Sequence, residues 1–308
     1  MFNHFQNTIT GWPGGKPGAD DSTRPERKSP NSKRVIIFSP HPDDDVVSMG
    51  GTFDRLVSQG HEVHIAYQVK GNIAVSDHDA LKFIEVSKDM FKNNSKVPVG
   101  QLIKELVNNK PDKIDSQAVR DLKGFIRKRE AIAATRYIGI PDSNTHFMNL
   151  PFYDTGRIKK NPPTTKDVLI TASLIKKIKP HQIFAAGDLE DPHGTHKVCL
   201  DVILDALDTL KGEKFIKDCW LWLYRGAWLD WDVHDIDMAV PMSPAQVLRK
   251  RKAIFFHQTQ KDGVMFQGQD LREFWVRAEE RNSETAEKYK KMGLADYAAI
   301  ESFKRHYY

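Results

Sequence analysis

Two cysteines, Cys199 and Cys219, are all that 308 residues contain. They cannot build a disulfide framework, so nothing in the sequence demands an oxidising compartment. No apolar run approaches the length needed to span a bilayer. The opening stretch MFNHFQNTITGWPGG lacks an apolar segment behind a basic start, so no secretory signal is visible and the expected location is the cytoplasm. Charge of one sign is also scarce. Lys plus Arg total 46 against 41 Asp plus Glu, a net +5 with His neutral, and the surplus forms no basic stripe. Nucleic-acid binding is therefore not expected. No internal repeat appears at a period of about 20–50 residues. What remains is ordinary globular composition, 40% hydrophobic and 28% charged. It excludes a wholly disordered chain, a collagen or a coiled-coil rod, and the length suffices for a substantial core.

Residues 11–33 hold four Pro and four Gly, with Trp12 and Ala19 as their only apolar side chains. Such a stretch buries too little to offset its ordering entropy. Residues 1–33 are thus expected to form a linker or extended N-terminal segment, with one domain over 34–308. From Arg34 onward strands and helices alternate. Val35–Phe38 and Ile183–Ala186 are short β-branched or apolar runs that read as buried parallel strands. His61–Val69 and Cys219–Tyr224 read as further strands, and Phe147–Tyr153 as another. Helices are expected over about 46–59, 77–93, 99–107, 115–139, 165–179, 193–210, 247–257, 271–292 and 294–305. This order predicts an α/β fold: a Rossmann-like, doubly wound, mostly parallel sheet with helices on both faces and extra C-terminal helices.

In such sheets ligands bind beyond the carboxyl ends of the strands. The first predicted strand runs into His41-Pro42-Asp43-Asp44-Asp45, three adjacent carboxylates that repel one another unless a cation balances them. The later strand runs into His193-Gly194-Thr195-His196, whose two histidines share one face of a helix start. Imidazoles with a carboxylate form a common set for zinc or another divalent transition metal.

At these residues the sequence resembles the PIG-L/LmbE family of zinc-dependent N-acetylglucosaminyl de-N-acetylases. The likeness rests on HPDDD after the first strand, Gly50-Gly51, Gly60 with Val63, Arg127-Lys128-Arg129-Glu130 running to Gly139, the late His-x-x-His, and His257-Gln258-Thr259-Gln260. It is nearest to LmbE-like modules fused behind glucosamine-6-phosphate deaminase-like domains, which implies fusion or association with such a domain. It implies Zn2+ held by His41, Asp44 and His196, and Asp43 as general base for attack by metal-activated water. His193 would be the general acid or the stabiliser of the oxyanion. The substrate would be an N-acetylglucosamine-type amino sugar or conjugate, and relatives form homo-oligomers. Substrate contacts are expected from Asp45, where the family has Glu, from Lys70, Arg129 in the Arg127–Glu130 stretch, Arg225 and Trp228. The tryptophans Trp220 and Trp222 read as core, and Cys199 as a small buried hydrophobe. A catalytically silent sugar-binding module attached to an amino-sugar enzyme is the alternative, as is a deacylase of longer acyl chains within the enzyme class.

Overall fold

A computed structural model of the chain describes residues 2–16, 32–91, 99–109, 114–226, 228–262 and 270–308. Seven strands form one sheet: β1 Arg34–Ser39, β2 Glu62–Tyr67, β3 Thr145–Phe147, β4 Gln182–Ala186, β5 Trp220–Tyr224, β6 Met238–Met242 and β7 Ala299–His306. Their order is β3-β2-β1-β4-β5-β7-β6. Strands β3 to β5 in that order pair in parallel, whereas β7 runs antiparallel between β5 and β6. The helices are α1 Phe2–Thr8, α2 Asp44–Ser58, α3 Asp77–Phe91, α4 Val99–Val107, α5 Gln117–Ile138, α6 Thr165–Ile178, α7 Thr195–Thr209, α8 Pro244–Ile254 and α9 Phe274–Lys291. None of the described helices is long and apolar enough to cross a membrane.

The alternation of β1 sorts the two cores. Ile36 and Phe38 pack with Ile175 of α6 and Ile203 and Leu207 of α7. Val35 and Ile37 face the other way, onto Val46, Phe53 and Leu56 of α2 and Ile254 of α8. Successive side chains of a strand point to opposite faces, so a run without polar breaks is the mark of a sheet covered on both sides.

Helix α2 is kinked at Met49, whose φ of −136° leaves the helical range. The break frees backbone N–H groups, and Glu301 of β7 accepts from Gly51 at 2.9 Å and Thr52 at 2.6 Å. Lys250 of α8 donates to the same carboxylate at 2.8 Å and to Asn282 at 2.7 Å. A Cβ at position 51 would come within 2.1 Å of the Met242 sulfur, so glycine is what allows α2 to lie against the sheet edge.

Three expectations change. Leu294–Arg305 is not a helix: the segment supplies β7, because Ile300 and Phe303 are fully buried between strands on both sides. Strand β6 was not expected; it contains Pro241, which is tolerated at the sheet edge that β6 occupies. The strand expected over 147–153 is shorter and earlier, at Thr145–Phe147. Residues 2–16 do not stand apart as a linker. Phe5 enters the core, the Thr8 and Tyr289 hydroxyls are 2.7 Å apart, and Thr10 N–H donates to Ala239 O at 2.9 Å. Residues 17–31 of that expected linker lie outside the described residues.

Candidate metal centre and active site

Strands β1 and β4 are neighbours, yet α2 after β1 packs on one face and α7 after β4 on the other. That reversal opens a crevice beyond their carboxyl ends. Both motifs singled out from the sequence meet there. His41 N–H donates to Asp44 Oδ2 at 2.8 Å, and the same oxygen lies 3.2 Å from His41 Nδ1 and 3.2 Å from His196 Nε2. The two rings are 5.3 Å apart. One donor atom from each of His41, Asp44 and His196 falls within 4.8 Å of the other two.

The surroundings fix these side chains. His196 Nδ1 lies 2.7 Å from the Asp188 carbonyl and can only donate to it, which leaves Nε2 to face Asp44. Asp191 accepts from Thr195 N–H at 2.8 Å and His196 N–H at 3.1 Å, tying down the start of α7. Asp188 accepts from the Trp228 and Leu229 N–H groups at 2.5 and 3.1 Å. Burial alone would lower the pKa of His196, but the Asp44 carboxylate outweighs it and raises it to about 10. Asp44 moves the opposite way: burial raises its pKa, the two imidazoles outweigh that, and it is held well below the carboxylate range. Two imidazole lone pairs and a carboxylate oxygen turned toward one another are an acceptor set that a cation or a proton must satisfy. The residues present therefore fit a divalent metal, with donor types suited to zinc.

Asp43 points elsewhere. Its Oδ1 accepts from Arg127 at 2.9 Å, and Arg127 also donates to Pro42 O at 3.3 Å. Burial raises the Asp43 pKa, with Arg127 working against it. His41, Asp43, Asp44, His193 and His196 all line one cavity of about 70 Å³, together with Trp228. Burial and the neighbouring His41 keep the pKa of His193 below its usual value.

Four expected substrate residues do not line this cavity. Asp45 is fully buried beneath it, accepting from Tyr67 at 3.1 Å and Ser39 at 3.2 Å, and burial pushes its pKa up to about 7. It holds the loop against the sheet. Lys70 turns away, 3.1 Å from Asp121 and 3.7 Å from Asp154. Arg225 donates to the Gly187 carbonyl at 2.9 Å and stacks 3.7 Å over Trp231. Arg129 is exposed on α5, whereas Arg127, two residues earlier, faces the cavity.

The sequence reading missed Tyr153, Gln260 and Phe274, which also line the cavity. The buried Tyr153 hydroxyl has no hydrogen-bond partner among the described residues, and its ring meets His41 edge-on at 6.2 Å. Phe274 lies 5.3 Å from Trp228, edge to face. Only Gln260 carried a signal, as the end of the quoted His257–Gln260 stretch. That stretch docks on α5, where Glu130 accepts from Thr259 N–H and Oγ1, both at 2.8 Å.

Comparison with known proteins follows this geometry. A family model described as GlcNAc-PI de-N-acetylase (PIG-L) matches residues 36–207, which include every residue of the proposed metal set. A curated glucosamine-6-phosphate deaminase-like protein of Bacteroides thetaiotaomicron is 51% identical over 98% of the chain, but the chain spans only 47% of that relative. Among solved structures, N,N'-diacetylchitobiose deacetylase from Pyrococcus horikoshii has a TM-score of 0.54 at 17% identity, covering 90% of this chain and 84% of that one. The 4-carboxy-2-hydroxymuconate hydratase of Pseudomonas putida has a TM-score of 0.53 at 14% identity, covering 90% and 97%. A deacetylase and a hydratase thus share the fold, which by itself assigns no reaction. The family match spans more than half of the chain and carries both motif loops, and the chain belongs to the PIG-L family of GlcNAc-PI de-N-acetylases.

Proposed function

We propose that the chain is a metal-dependent hydrolase that removes the N-acetyl group of an N-acetylglucosamine-type amino sugar or conjugate. The observation that carries this reading is the pairing of a three-residue acceptor set, His41, Asp44 and His196, with a separate carboxylate, Asp43, in the same small cavity. Zn2+ held by the three would polarise an amide carbonyl and make water acidic enough to attack it. Asp43 is held by Arg127 rather than by the imidazoles, so its carboxylate stands ready to accept the proton of the attacking water. His193 lines the other side of the cavity and delivers a proton to the departing amine. The Tyr153 hydroxyl is a donor for the charge that develops on the carbonyl oxygen. Trp228 and Phe274 offer apolar surface to the sugar ring. The name of the Bacteroides relative supports a working association with a glucosamine-6-phosphate deaminase-like region.

The test is amine release from N-acetylglucosamine, its 6-phosphate, N,N'-diacetylchitobiose and a glycoconjugate, with zinc-loaded and chelated protein. Zinc-dependent release of equal acetate and amine from at least one of them is expected. No release from any by metal-replete protein, with micromolar binding of one, would instead support the silent sugar-binding module.

A further inference from the structure

Lys70 has no place in the cavity described above, and a second hollow contains it. We propose that this hollow, of about 240 Å³, is a separate binding site for a hexose that carries an anionic group. One wall is the carboxyl edge of the sheet: Pro42 after β1, Lys70 after β2, and Phe147 and Asn149 at and after β3. The other wall is α5, through Asp121, Gly124, Phe125 and Lys128. The hollow therefore obeys the rule for ligands in parallel sheets, one strand over from the metal set.

Its chemistry is that of a sugar site. Phe125 is 63% exposed and presents a flat apolar face, on which the C–H face of a pyranose stacks. Asp121 and Asn149 supply an acceptor and an amide for hydroxyls. Lys70 is shared between Asp121 and Asp154, whereas Lys128 has no carboxylate partner among the described residues, so Lys128 is the ammonium group left to meet an anion. Lys70 is held by Asp121 at 3.1 Å and Asp154 at 3.7 Å, and Lys128 lies 4.8 Å over the Phe147 ring. The Lys70 stem lies along Gly124 of α5, where a Cβ would stand 3.4 Å from Lys70 Cδ.

This hollow is not an arm of the metal cavity. Pro42, Gly71 and Arg127 close the space between them. Arg127 donates to Pro42 O at 3.3 Å, and a Cβ on Gly71 would lie 3.0 Å from Pro42 and 3.3 Å from Arg127. The two linings share no residue.

Calorimetric titration of the full zinc-loaded chain with glucose 6-phosphate, glucose and inorganic phosphate tests the proposal. Glucose 6-phosphate should bind at least tenfold more tightly than either fragment. Phe125→Ala and Lys128→Ala should each weaken it by roughly 3- to 10-fold, the scale of one stacking or ionic contact. Gly124→Leu should abolish it, because leucine displaces the Lys70 stem that lies against Gly124, with circular dichroism checking that the variant is folded. His196→Ala should bind the sugar phosphate as the parent chain does. Absence of saturable binding at millimolar glucose 6-phosphate would overturn the site. So would binding lost in His196→Ala but kept in Gly124→Leu, which would put the phosphate on the metal. Equal affinity for inorganic phosphate would remove the sugar from the proposal, and equal affinity for glucose would remove the anion.

Discussion

Helix α2 carries two clusters of buried charge, and they differ in one respect. Around its kink, Glu301 meets Lys250 and two backbone N–H groups, and Lys250 also meets Asn282, so each charge is answered by protein. At its first turn, Asp43, Asp44 and Asp45 stand in sequence. Asp45 is satisfied by Tyr67 and Ser39, and Asp43 by Arg127, the one permanent cation among the described residues lining the cavity. Asp44 is left between two imidazoles. A buried ion cluster that closes on itself is a fold element, because removing one partner strands the other. A cluster whose carboxylate is answered only by a proton on an imidazole is a place for a ligand. The kink cluster positions the strand and helix; the first-turn cluster is where we place the proposed chemistry.

Substitutions sharpen that contrast. The largest effect on turnover among non-ligands should come from Asp43→Asn, with kcat lower by about 10²- to 10⁴-fold and zinc content unchanged, since a base is lost and a ligand is not. His193→Ala should lower kcat by about 10²-fold, again with metal retained; metal loss in this variant would make His193 a ligand and break the assignment. In the closed cluster the loss should appear as stability instead. Glu301→Ala strands Lys250 and should cost about 3–5 kcal/mol in denaturant unfolding, while the folded fraction binds zinc normally. A loss of metal without a loss of stability would show that the two ends of α2 are not separable in this way.

The last effect is pH-dependent. His257 is fully buried, neither ring nitrogen has a partner among the described residues, and burial with the nearby Arg127 lowers its pKa to about 3. The unfolded chain takes up that proton near the usual histidine value, so stability should fall as pH drops below about 6.5 and go on falling to about 3. The slope from this one group is at most about 1.4 kcal/mol per pH unit. His257→Asn should flatten the slope in that window; an unchanged slope would mean that other groups govern acid unfolding.

The sequence revealed what local pattern governs. Strands β1, β4 and β5 announce themselves as apolar runs and β2 by its alternation, and the proposed ligands sit in the loop after β1 and in the first turns of α2 and α7. Strand β7 was hidden because LADYAAIESFKR has the composition of a helix, and only its pairing with β5 and β6, far away in sequence, makes it a strand. Arg129 was chosen where Arg127 faces the cavity because two residues on a helix differ by about 200° in direction, and composition does not set that phase. Lys70 and Arg225 failed for a related reason: a loop position near a site does not say which way a long side chain turns. Tyr153 and Phe274 come from segments on either side of the motif loops, and only the folded chain brings them to the cavity.

The most direct test of the account is metal stoichiometry. Purified chain dialysed against zinc should retain about one ion, Glu301→Gln should retain about one per folded chain, and His196→Ala should retain almost none. Full zinc content in folded His196→Ala would contradict the claim that the open cluster at the start of α2 is the metal site.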